Sequence, residues 1–293
     1  MIKHAQIIRW LTSITLTALG GVSCVQIPAS SPNRDHPRAI QILQQSAAAH
    51  GADAFGPLQD VSVHYEGKWA PFVARIQPVL VDDQFRGSSD ERYLIHPPAT
   101  GQTHTGAAGR KRVFRDLKEI HVSYQDVESH DQSALDAAAL VADAYRMFLF
   151  GPQFFLERNA SVEYLGTETV DEMPCDQLLA VIKPGFGNSP EDRVILSIDL
   201  THHWLRRVRM TLTGLDTTRG AIVDIFLRDH IRIGGVVWPT GFYEELKRPF
   251  NLSVHRWRLT GIDVNRGLTR QMLELPHFSG ATTRSAGSSP TSP

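Results

Sequence analysis

Ile222-Val223-Asp224-Ile225-Phe226-Leu227-Arg228-Asp229-His230-Ile231-Arg232 is the stretch on which the reading of this chain turns. Val223, Ile225, Leu227 and Ile231 fall on one face, with Asp229 the exception, and Asp224, Arg228, His230 and Arg232 fall on the other. A period of two predicts a β-strand with one greasy and one wet side. Val194 to Asp199, Trp204 to Thr213 and Val236 to Leu246 read the same way. In the Trp204 segment, Trp204, Val208, Met210 and Leu212 share a face opposite His203, Arg207, Arg209, Thr211 and Thr213, and Arg206 lies among the apolar set. Seven such segments, broken by turn residues with no helical pattern between them, run from Ser161 to Val264 and predict an antiparallel meander.

On the N-terminal side of the meander lies the one strongly helical stretch of the mature chain, Asp131 to about Arg158. Asp131 or Ser133 is placed to cap it, and Gly151-Pro152 to break it. Tyr145, Met147, Phe148, Leu149, Phe150, Phe154, Phe155 and Leu156 make a dense cluster, and a helix greasy on so many sides must be covered by something. The simplest cover is the apolar face of the sheet. Earlier strands are predicted at Asp60 to Glu66, at Phe72 to Phe85 with a break near Pro78, at Glu91 to His96, and twice between Lys111 and Tyr124. Pro98 to Gly109 reads either as a hairpin or as a mobile loop. An amphipathic helix is expected from Pro37 or Arg38 to His50, with Ile40, Leu43, Ala47 and Ile42 on its apolar side and Gly51 to stop it.

The first 23 residues read as a signal peptide: Lys3 and Arg9 precede an apolar run, Trp10 to Val22, too short to span a bilayer. Gly21-Val22-Ser23-Cys24 resembles the lipobox of bacterial lipoproteins, with Gly21 in place of the usual Leu, and makes Cys24 the predicted lipidation site. The alternative is cleavage after Ala29, which yields a soluble periplasmic protein. Residues 24–36 read as a linker, 37–278 as one domain and 279–293, almost free of apolar residues, as a disordered tail. The chain of 293 residues, 42% hydrophobic and 21% charged, is long enough to bury a sizeable core. A formal net charge of -1 with scattered basic residues argues against nucleic acid as a partner.

Catalytic motifs are lacking. The sequence has no G-x-S-x-G elbow, H-E-x-x-H pair, Walker loop or dinucleotide fingerprint, so no enzyme activity, cofactor or metal is predicted, a hydrolase with residues scattered through the chain being a further alternative. His202 and His203 are adjacent, and neighbours on a strand point to opposite faces, so they decorate a turn rather than bind one metal. Cys175, with no partner in view, reads as a buried small hydrophobe.

Taken together, the elements predict a mainly β, α+β fold: about eleven antiparallel strands with an N-terminal helix and an apolar helix inserted midway. In that order the chain resembles the LolA/LolB superfamily of lipoprotein carriers and related periplasmic lipid-binding proteins. The residues that carry the resemblance are the helix end His50-Gly51, Gly166 to Cys175, Ile198-Asp199-Leu200-Thr201 before Leu205 and Val208, and Arg232-Ile233-Gly234-Gly235-Val236-Val237-Trp238-Pro239. It implies an incomplete antiparallel β-barrel whose hollow is lined or plugged by helices, in a bacterial envelope protein that binds lipid or an acylated protein. Phe148, Phe150, Phe154, Phe155, Trp204, Val208, Met210, Leu212, Val223, Ile225 and Leu227 are then the expected lining of an apolar cup. The alternative for these residues is a closed core, in a structural lipoprotein that docks an envelope protein partner. Arg206 is expected at the rim, meeting a lipid head group or pairing with an Asp.

Overall fold

The computed structural model describes residues 25–274; Cys24, the signal peptide and the tail beyond 274 lie outside the described residues. Strands β1 (Asp60–Trp69), β2 (Ser88–Leu94), β3 (Ala99–Gly106), β4 (Gly109–Asp116), β5 (Ile120–Tyr124) and β6 (Val127–Glu128) form the first half of the sheet. After a helical insertion come β7 (Ser161–Val170), β8 (Met173–Ile182), β9 (Asp192–Asp199), β10 (Leu205–Thr211) and β11 (Ile222–Arg228). A short ribbon, β12 (Ile231–Ile233) and β13 (Val236–Trp238), precedes β14 (Gly241–Arg248) and β15 (Leu252–Val264). The main sheet has thirteen strands, all pairs antiparallel, in the order β6-β5-β4-β3-β2-β1-β15-β14-β11-β10-β9-β8-β7. The two ends, β6 and β7, do not pair with each other, so the barrel stays open.

The expected count of eleven strands is corrected to thirteen plus the ribbon. Asp229 explains part of it: its φ of 53° is left-handed and ends β11 where the alternation faltered. β3 adds another strand, over the stretch left as either hairpin or loop, and turns directly into β4. Phe72 to Phe85, expected as strand, is instead two helical turns, α3 (Pro71–Ile76) and α4 (Pro78–Val81). Pro71 and Pro78 each open a helix, where the missing N–H costs nothing. The other helices are α1 (His36–Ala49), α2 (Ala52–Phe55), α5 (Gln132–Phe150), α6 (Pro152–Glu157) and α7 (Arg270–Leu273). None of the described helices is long and apolar enough to cross a membrane.

Asp35 caps α1 by accepting from the Arg38 N–H, and Asp131 caps α5 by accepting from the Ser133 N–H. The buried stripe of α1 is Ala39, Ile42, Leu43, Ser46 and Ala47. That stripe turns Ile40 outward, 46% exposed, against expectation. One large apolar cluster joins α1, α2, α5 and α6 to the inner faces of the strands, with Met147, Phe155, Leu178, Leu196, Val208 and Trp238 fully buried. Residues 25–35 lie along β7: Arg34 Nη1 is 2.6 Å from Glu163 Oε2, the Ser31 N–H reaches the same carboxylate at 3.0 Å, and Arg193 donates to the Pro28 carbonyl at 3.2 Å.

Candidate functional site

The hollow side of the sheet is divided chemically. Register places Leu178, Leu196, Val208, Ile225, Glu244, His255 and Trp69 in one inward row across seven strands. The row is apolar from β8 to β11 and polar at β14 and β15. Two further inward rows, Val63-Glu91-Gln102-Val113 and Tyr65-Ser89-His104-Lys111-Tyr124, cross β1 to β5. Glu91, Gln102, His104, Lys111 and His255 are each buried, in the half of the bowl opposite the aliphatic wall.

Burial sets their charge. It pushes Glu91 up, against hydrogen bonds from Tyr93 and Ser89, and pushes Glu244 up to about 7. It pulls His104 and His255 well below the usual imidazole range, with Arg86 adding to the effect in both. Burial also lowers Lys111, while its 2.7 Å contact with Asp82 opposes the shift. His255 is stacked on Trp69, ring centroids 3.8 Å apart, and its Nδ1 stands 3.8 Å from Glu244 Oε2, beyond hydrogen-bond reach.

Arg86 is the buried cation at the centre of this half. Its Nη1 donates to the Leu80 carbonyl at 2.8 Å and its Nη2 to the Tyr145 hydroxyl at 3.3 Å. The first bond holds the end of α4, and Asp82, just past it, receives Lys111 Nζ and the Tyr124 hydroxyl at 2.7 and 3.0 Å. The α3–α4 segment is thus a strap across the polar half, fastened by these bonds and by Val73 and Val81 packed against Val254. A hollow of about 10 Å³ lies under Val79 and Leu80 of this strap, and a second of about 20 Å³ shares Arg86 and His104 with it. Each has room for about one water.

The residues expected to line an apolar cup divide into two groups. Phe148, Phe150, Phe154, Phe155, Val208, Met210, Val223, Ile225 and Leu227 are all at most 5% exposed and belong to the single large cluster, with Leu212 packed against it. They gather in one buried cluster and pack against one another. Trp204 does not join them. A bulge between Leu205 and Arg207 moves the inward position to Leu205, and Trp204 is left half-buried between the His202 and His230 rings, at 4.9 and 4.8 Å. Arg206, the bulged residue, pairs with Asp199 at 2.7 Å. Burial alone would raise the Asp199 carboxyl, but the His202 N–H and Arg206 hold it below its usual range. Cys175 is fully buried, its thiol pushed up to about 11.

The polar half was not read from the sequence. A signal was present: Glu244 shares its strand parity with Phe242 and Leu246, and His255 with Trp257 and Leu259, so each is a polar residue at an inward position.

No protein-family model matches the sequence, and no curated protein is similar to it at a significant level. Among solved structures, a DUF1329 family protein from Desulfovibrio piger superposes with a TM-score of 0.53 at 12% identity, covering 82% of this chain and 99% of that one. A LolA superfamily protein from Nitrosomonas europaea gives 0.49 at 12% identity, over 80% of this chain and 97% of that one. The unclosed antiparallel sheet with its inserted helices is similar in fold to the DUF1329 family protein. At these identities the likeness is one of fold.

Proposed function

We propose that this is a bacterial envelope lipoprotein, anchored through Cys24, that binds lipid or lipoprotein acyl chains inside the half-barrel as a carrier or receptor, without catalysis. The observation that carries this reading is the divided bowl. Its wall from β8 to β11, with α5 and α6, is apolar, and acyl chains gain about 0.8 kcal/mol per methylene buried there. The adjoining half offers a buried guanidinium, Arg86, and hydrogen-bonding groups for the polar end of the same molecule. The strap α3–α4 covers that half together with α5, and cargo enters by lifting the strap, which breaks its Arg86 and Asp82 bonds and its Val73 and Val81 packing but leaves the sheet intact. Cargo takes the place of part of the aromatic plug, so specificity among chains is loose.

A second reading is favoured by the tight packing of the apolar half: a structural lipoprotein whose closed core supports a docking surface for an envelope partner. Organic extraction of the purified protein followed by mass spectrometry separates the two. Acyl lipid at near-stoichiometric amounts, absent from a folded Phe148→Asp, Leu227→Asp variant, is the result expected of the carrier. An empty wild type that also fails to take up added phospholipid or acylated peptide refutes it and leaves the docking protein.

A further inference from the structure

The solvent side of the same sheet holds a groove of about 970 Å³. Register builds it from two outward rows. One runs Arg228, Gly241, Arg258, Glu66, Ser88 from β11 to β2, and the other runs Phe226, Tyr243, Arg256, Lys68 from β11 to β1. Gly241 has no side chain and Ser88 a short one, so the floor is low, while the exposed basic side chains stand as its rims. Five strands at about 4.8 Å spacing make the groove about 19 Å long.

Its charges are unbalanced. Four cations, Lys68, Arg228, Arg256 and Arg258, line it against two carboxylates, Glu66 and Asp229. Lys68 and Arg256 are directly opposed on β1 and β15, both exposed, an arrangement that disfavours the sheet. Among the described residues neither has a carboxylate within ion-pair distance. Arg256 instead lies over the Tyr243 ring at 4.8 Å, which orients its guanidinium while leaving the N–H edges to bind an oxyanion. Arg228 and Arg258 hold Asp171 and Asp229 through pairs in which every side chain is at least 44% exposed. Such pairs are weak and exchange readily for another carboxylate.

We propose that this groove binds an extended acidic peptide segment of a partner protein. About six residues of extended chain match its length, and their carboxylates satisfy the Lys68 and Arg256 pair and compete for Arg228 and Arg258. A flat anionic bilayer does not reach the recessed floor, and a single phosphate answers one cationic pair but not the length. The groove lies on the face opposite the cup, so the proposal does not depend on what the cup holds.

The test is fluorescence anisotropy of a labelled hexaglutamate peptide against the purified full chain at low ionic strength. The comparison is with Lys68→Glu, Arg256→Glu and, as a charge-matched control elsewhere on the surface, Lys118→Glu, Arg219→Glu. Thermal melts verify the fold, and Lys68→Gln, Arg256→Gln replaces the reversal if that variant does not fold. Binding weakened at least tenfold in the groove variant, within twofold of wild type in the control, and falling with added salt is the expected result. Equal binding by all proteins, or by none, overturns the proposal. So does displacement of the peptide by inorganic phosphate at matched charge, or recruitment to phosphatidylglycerol vesicles with no affinity for the peptide.

Discussion

Replacing Glu244 by Gln is expected to stabilise the protein, and only at high pH. Glu244 lies between Ile225 and His255 on the inward row, its side chain 13% exposed, and burial raises its carboxyl from 4.5 to about 7. A folded-state value above the unfolded one means that the native protein holds the proton more tightly. The stability it confers is present in full below about pH 4.5 and is lost as pH rises through 7. At about 1.36 kcal/mol per pH unit the difference amounts to about 3 kcal/mol above pH 8, and the residual exposure reduces it to about 2. Glu244→Gln keeps the shape and removes the titration. Urea denaturation at pH 5.0 and 8.5 is the assay: the variant is expected to match wild type at the lower pH and exceed it by about 2 kcal/mol at the higher. A difference that does not change with pH, or a variant less stable at pH 8.5, means that Glu244 ionises freely. The polar half would then not be the desolvated site described above.

His50, 4% exposed and bonded through Nδ1 to the Ser46 carbonyl at 2.8 Å, is pulled by burial to about 4. Its contribution is present above pH 6.5 and lost as pH falls toward 4, so His50→Gln should flatten the acid limb of the stability profile by about 3 kcal/mol in urea titrations. An unchanged limb would place the acid sensitivity elsewhere. Asp224, 1% exposed, accepts from Arg209 at 2.6 and 2.7 Å and faces Arg207 at 3.5 Å; Asp224→Asn leaves Arg209 without its carboxylate while Arg207 keeps Glu168, and should cost about 3 kcal/mol in the same assay. A loss below about 1 kcal/mol would show that solvent already screens the cluster. Cys175, buried and with its thiol raised to about 11, should ignore a thiol reagent at pH 8 until the protein is denatured, and rapid labelling of native protein would contradict that burial.

The alternation in β9 to β11 was legible because it is local: Val223, Ile225 and Leu227 declare an inward face whatever they pack against. The plug helix and its break at Gly151-Pro152 were legible for the same reason, since caps, proline and a continuous apolar run act within a few residues. Trp204 was misplaced because a single bulged residue at Arg206 reverses parity, and the bulge is set by pairing with β9 rather than by any residue in β10. The wet side of β11 also proved less wet than its alternation suggests, because Arg207 and Arg209 on the neighbouring strand close over Asp224.

From its own residues, then, the chain determined the open meander, the inserted apolar helix and most of the aliphatic wall, through periods of two and of 3.6 that need no partner. Tertiary structure assembled the polar half of the bowl, of which the sequence shows only Glu244 and His255 at inward parity, and it alone decided the outer basic groove. Arg86, Glu91, Gln102, Lys111, Glu244 and His255 come from five strands and a loop, and Lys68 meets Arg256 across 188 positions of sequence. What a polar side chain means depends on whether water or another strand stands opposite it. That is fixed by register and curvature, which no short stretch of sequence contains.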